Sequence, residues 1–119
     1  MLCLLKDKEN IIDVIGFTLA PYSITLEFAP YGDLNSFLKS EHSKDITLKD
    51  KCTIGANIAS ALRVLHSFQP KIIHRDVKSL NILVCSINPI CVKLSDFETS
   101  CFCPIFVSGQ SPIDNPKWV

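Results

Sequence analysis

The sequence has no charge imbalance. Twelve Lys and Arg residues meet twelve Asp and Glu residues, a formal net charge of zero. No basic field points to nucleic acid, and none is expected as a partner. No apolar run reaches the ~18 residues that a membrane-spanning helix requires. The N-terminal run Leu2-Cys3-Leu4-Leu5 has no basic region before it and is too short for a signal-peptide core. There are no internal repeats and no low-complexity tract. Six cysteines, Cys3, Cys52, Cys85, Cys91, Cys101 and Cys103, include no C-x-x-C pair, and Cys101 and Cys103 stand one residue apart, an unusual spacing for zinc. A cysteine-based metal protein is therefore the weakest reading. The thiols are expected to be free and buried, which fits a reducing compartment and a cytoplasmic, intracellular protein.

What the chain does have is a core-forming composition: 119 residues, 47% of them hydrophobic, enough for one small domain. Residues 1–5 read as the end of a helix, and 11–19 as a strand with a bulge or close approach at Gly16. Tyr22, Ile24, Leu26 and Phe28 alternate with Ser23, Thr25 and Glu27, which predicts a second strand, a hairpin, and a core-facing apolar row. Asp33 caps a short helix to about Ser40. Residues 48–66 give the strongest helix pattern, capped by Thr47, with Leu48, Cys52, Gly55, Ile58, Ala59, Leu62 and Leu65 as its core stripe. A second hairpin is expected over 81–94, with Ile90, Val92 and Leu94 on one face. From Pro104 onward no period is visible, and a mobile loop is expected.

The chemistry concentrates between two apolar runs, in Ile72-Ile73-His74-Arg75-Asp76-Val77-Lys78-Ser79-Leu80-Asn81-Ile82-Leu83-Val84. A rigid scaffold holds reactive groups on such a loop. Asp76 can orient a hydroxyl nucleophile and accept its proton, and Lys78 can neutralise charge on a transferred group. Asn81, with Asp96 as a second oxygen ligand, can hold a hard cation.

The eight residues His74-Arg75-Asp76-x-Lys78-x-x-Asn81 resemble the catalytic loop of eukaryotic protein kinases, and Asp96-Phe97, fifteen residues after Asn81, looks like the start of their metal-binding D-F-G motif. The order of elements agrees along essentially the whole chain. The resemblance implies an α+β, partial protein-kinase-like fold running from the end of the family's αC helix to its activation loop. Its parts would be a small-lobe β-hairpin, a hinge, helices αD and αE, the catalytic loop, a β-hairpin and the activation loop. Residues 1–28 would be a remnant of the N-terminal lobe, 29–32 the hinge, and 33–119 the first part of the C-terminal lobe.

Residue by residue, the resemblance makes Asp76 the catalytic base or orienter, with Lys78 in the serine/threonine kinase pattern. Asn81 and Asp96 would bind Mg2+. Arg75 would pair with an activation-loop phosphate, and His74 would stack with Phe97. Leu26 looks like the gatekeeper, Glu27 and Ala29 would offer backbone hydrogen bonds to the adenine of ATP, and Leu83 would pack beneath the ring. Asp33 is a helix cap first and a ribose contact second. Thr99, Ser100, Ser108 and Ser111 are candidate phosphosites. The loop and Asn115-Pro116-Lys117-Trp118-Val119 look most like the tyrosine-kinase-like group of serine/threonine kinases. The implied partners are ATP and a protein substrate bearing Ser or Thr.

Two departures stand beside this. Glu98 occupies the family's Gly position, where a positive φ would cost about 1 kcal/mol or more. The 119 residues also contain no Gly-rich loop, no phosphate-gripping strand lysine and no helix glutamate; the resemblance puts that glutamate about two residues before Met1. A pseudokinase or truncated interaction module is therefore the alternative reading. The isolated chain is expected to expose apolar patches, to be marginally stable and not to phosphorylate substrates.

Overall fold

The computed structural model describes residues 1–104. Helix α2 (Leu48–Ser67) sets its frame. Thr47 Oγ1 accepts the Asp50 N–H at 3.1 Å while the Asp50 carboxylate accepts the Thr47 N–H at 2.9 Å. This reciprocal box satisfies two donors the helix cannot satisfy itself, a contribution of about 1 kcal/mol. Against α2 lies the hairpin of β4 (Ile82–Ile87) and β5 (Ile90–Leu94). Ile90, Val92 and Leu94 are buried and Cys91 and Lys93 only partly so, as their alternation predicts.

The core stripe of α2 agrees with the expected one at Ile58, Leu62 and Leu65 and differs at the rest. Ile54, Ala61 and Leu65 are buried, and Ile58 and Leu62 pack against them. Leu48, at 78% exposure, and Cys52, Gly55 and Ala59 face outward. The helix carries two adjacent rows of small and apolar residues, and contact with the hairpin decides between them. Asn57, expected off the stripe, lies on the packed face and accepts the Val92 N–H at 2.9 Å.

That bond belongs to a larger arrangement. The outer edge of β5 would otherwise present unpaired peptide groups, a costly state for a buried strand. Asn10 Nδ2 donates to Val92 O at 3.0 Å, Leu94 N–H donates to Asn10 O at 2.8 Å, and Ile12 N–H donates to Leu94 O at 2.9 Å. Asn10 reaches this position with φ at 57°, a left-handed conformation that Asn tolerates better than most residues.

Strands β1 (Val14–Leu19) and β2 (Tyr22–Leu26) form the first hairpin, with a register shift between Val14 and Gly16 at the anticipated bulge. Its apolar row is not core. Tyr22 is 75% exposed and Phe28 83%, with Ile24 and Leu26 also exposed, because among the described residues little packs on this hairpin beyond the 3-10 turn Leu2–Leu5. Helix α1 (Leu34–Leu38) is capped by Asp33, whose Oδ1 accepts the Ser36 N–H at 2.8 Å. That bond holds the Asp33 carboxyl below the usual carboxylate range. A short strand β3 (Ile72–Ile73) pairs with β6 (Cys101–Phe102).

No cysteine among the six is buried: Cys3 and Cys52 are exposed and the others intermediate. The expected mobile loop beyond Pro104, with Ser108, Ser111 and residues 115–119, lies outside the described residues. No helix among the described residues is long and apolar enough to cross a membrane.

Candidate catalytic site and family

The charged loop runs from β3 to β4, so both ends are fixed in the core: Ile72 and Val84 are fully buried. His74 is the internal anchor, 2% exposed. Its Nδ1 accepts the Asp76 N–H at 3.1 Å, so Nδ1 carries no proton. Nε2 then carries it and donates to Ser95 O at 2.8 Å. The ring meets Phe97 edge-on, with centroids 5.0 Å apart. His74 thus ties the loop to the segment after β5 and is a packed neutral imidazole.

Arg75 follows at φ 71°, a strained left-handed conformation for an Arg. This turns the chain so that Asp76 faces Lys78 and Asn81. Asn81 Nδ2 donates to Asp76 O and to Asp76 Oδ2, each at 2.9 Å. Lys78 Nζ lies 3.2 Å from Asp76 Oδ2. The Lys78 hydrogen bond first, and the Asn81 one after it, hold the Asp76 carboxyl below the usual carboxylate range. Asp76 is therefore ionised and its Oδ2 is fixed. Because Asn81 spends its amide N–H groups on Asp76, its side-chain carbonyl oxygen is left to accept or to bind a cation.

Asn81 is also joined to the second segment. Ser95 N–H and Ser95 Oγ both donate to Asn81 O, at 2.8 and 3.0 Å. The next residue, Asp96, is exposed and has φ 60°. Its Oδ1 accepts the Glu98 N–H at 3.3 Å. Glu98 is not among the residues with positive φ, so the backbone cost foreseen for it does not arise. The Ser95 bonds to Asn81 O tie the residue before Asp96 to Asn81, and an amide oxygen and a carboxylate are the hard-donor chemistry that Mg2+ takes.

Arg75 Nε donates to Thr99 O at 2.7 Å, and the Thr99 and Ser100 hydroxyls both donate to His74 O at 3.3 Å. Leu26, Asp96, Phe97 and Glu98 line one pocket of about 500 Å3 with Leu5 and Ile24. Leu83 lies across from Asp33 in an isolated bridge, and Val84 exchanges hydrogen bonds with Gly32 O and Tyr31 N–H, so segment 29–33 rests on β4. Sequence reasoning missed Ser95 and the Glu27–Lys93 ion pair, whose partners lie 66 positions apart.

Fold and loop together define an α+β unit of the protein-kinase-like type. The chain belongs to the protein kinase family: residues 1–102 match the family described as protein tyrosine and serine/threonine kinase. Relatives in Dictyostelium discoideum include the protein named "Probable serine/threonine-protein kinase roco5", 39% identical over 92% of this chain and 4% of that one. A second, "Probable serine/threonine-protein kinase roco8", is 37% identical over 92% of this chain and 6% of its own. A third, "Cyclic GMP-binding protein C", is 34% identical over 95% of this chain and 4% of its own. The chain thus spans 4% to 6% of the length of these relatives.

Proposed function

We propose that this chain is the middle of a serine/threonine protein kinase domain that transfers the ATP γ-phosphoryl group to protein hydroxyls. In this reading residues 1–28 belong to the N-terminal lobe, 29–32 form the hinge and 33–119 begin the C-terminal lobe. The observation that carries it is the Asp76 carboxylate held by Asn81 and Lys78 together.

Asp76 accepts or orients the proton of the substrate hydroxyl, and its lowered pKa keeps it ionised for that task. Lys78 is placed to offset charge on the transferred group. Asn81 and Asp96 would hold Mg2+, which supplies charge neutralisation at the phosphates when bound. His74 and Ser95 keep the two segments in register. Glu27 and Ala29 would meet adenine through their peptide groups, Leu26 would bound its pocket and Leu83 would lie beneath it. Arg75, now on Thr99 O, would take a phosphate near Thr99 or Ser100. The serine/threonine pattern at Lys78 and the relatives' names favour the serine/threonine class. The loop sequence favours the tyrosine-kinase-like group, and the use of ATP as phosphoryl donor favours an intracellular location.

Glu98 beside Asp96 favours a second reading, a pseudokinase acting as an interaction module, because it adds negative charge where phosphates would sit. Equilibrium binding of ATP to the full-length protein carrying this chain separates the two. Mg2+-dependent binding, weakened by Asp96→Asn, supports the first. Binding of neither ATP nor Mg·ATP refutes it.

A further inference from the structure

One ion pair lies outside the loop and joins segments that the functional reading places at opposite ends of one nucleotide. Lys93 Nζ on β5 stands 2.7 Å from Glu27 Oε1, just past β2. The side chains are 26% and 27% exposed, whereas Lys44–Glu41 and Arg63–Glu9 are at least 69% exposed. Partial shielding from water gives such a pair more weight than a surface pair. The same Oε1 accepts the Asp13 N–H at 2.8 Å, and Glu27 N–H donates to Asp13 O at 2.9 Å. Three segments therefore meet at one carboxylate. Burial alone would lower the Lys93 pKa, but the Glu27 hydrogen bond and charge outweigh it and raise it.

The position of the pair matters more than its strength. Glu27 begins the segment whose peptide groups would meet adenine. Lys93 is three residues before Asp96 on a strand pinned at Leu94 by Asn10 and Ile12. A displacement of Glu27 relative to Lys93 is a displacement of the base subsite relative to the metal subsite.

We propose that Glu27–Lys93 is a positioning pair that sets the span between the adenine subsite and the Asp96 phosphate-metal subsite. Neither side-chain charge touches the nucleotide. The inference rests on the kinase reading above. Two subsites held at the right span act as a linked pair, and affinity for a ligand that occupies both exceeds that for either part through effective concentration. Loosening the span removes that gain and leaves each subsite intact.

The test titrates the full-length protein carrying this chain with Mg·ATP, with adenosine and with Mg·tripolyphosphate. Lys93→Met is expected to weaken Mg·ATP about tenfold while adenosine and Mg·tripolyphosphate stay within about twofold. Lys93→Arg keeps the cation and its donors and is expected to recover most of the Mg·ATP affinity. Equal weakening of all three ligands would mean general structural damage and overturns the proposal, as does unchanged Mg·ATP affinity. Wild-type protein that binds none of the three overturns the kinase reading and this inference with it. Wild-type binding with an indifferent Lys93→Met overturns the inference alone.

Discussion

Replacing Asn57 by Ala should destabilise β5 although Asn57 is on the helix, 35 positions from Val92 in sequence. Asn57 Oδ1 is the acceptor for the Val92 N–H, and Val92 is 1% exposed. Without the amide, that N–H is buried with no acceptor, a cost of about 1–3 kcal/mol. Ala is the better helix former, which returns about 0.5 kcal/mol. The net loss is about 1.5 kcal/mol, or roughly tenfold faster exchange of the Val92 amide with solvent. Amide exchange followed by NMR reads this directly. Asn10→Gly is the companion variant: it accepts the positive φ of 57° but removes the amide donor to Val92 O. It should loosen the same strand by about 1 kcal/mol. Arg63→Ala is the control, because its contact to Glu9 is long, at 3.9 Å, and exposed. If Asn57→Ala exchanges Val92 no faster than Arg63→Ala does, the side-chain sealing of the β5 edge is refuted.

Three further outcomes follow from the geometry. His74→Phe keeps an aromatic contact to Phe97 but strips partners from the Asp76 N–H and from Ser95 O, so urea denaturation should show a loss of about 2–4 kcal/mol; a change within the ~0.5 kcal/mol of a surface site would contradict it. Lys78→Met should raise the Asp76 titration midpoint toward the ordinary carboxylate value, read by carboxyl NMR. The sign follows from the depressed folded-state pKa: the Asp76 contribution is present above the unfolded carboxylate pKa and is lost as pH falls through the folded value, so an unmoved midpoint would contradict the pairing. Thr47→Ala removes half of the α2 capping box and should cost about 1 kcal/mol in thermal unfolding followed by circular dichroism, with no loss contradicting the cap.

Local features were the most legible in the sequence. Thr47 and Asp50 stand three apart and announce a helix start. Ile90, Val92 and Leu94 alternate in a strand with one face on the core, so period and burial coincide. His74 through Asn81 form one continuous loop, so their proximity needed no folding to foresee. What failed depended on distant chain. Ile58, Leu62 and Leu65 were read correctly as core, but Leu48, Cys52, Gly55 and Ala59 form as good a helical row as Ile54 and Ala61 do with them, and only the hairpin packed against α2 chooses between the rows. The alternation of Tyr22, Ile24, Leu26 and Phe28 foretold a strand but not whether anything would cover it. Asn57 and Asn10 read as ordinary polar residues until β5 presents its edge to them. Glu27 and Lys93 become a pair only when segments 66 residues apart meet. Glu98 stands where Gly was expected, yet its φ carries no left-handed strain, a feature the chain decides locally and no pattern encodes.

Phosphoryl transfer from radiolabelled Mg·ATP to a Ser- or Thr-bearing protein substrate, with the full-length protein that carries this chain, tests the central claim most directly. The account predicts transfer by the wild type and a loss of about 10²–10⁴-fold in Asp76→Asn, which keeps the size of Asp76 and an oxygen to accept from Asn81 but neither its charge nor its basicity. Undiminished transfer by Asp76→Asn, or none by the wild type, would contradict it.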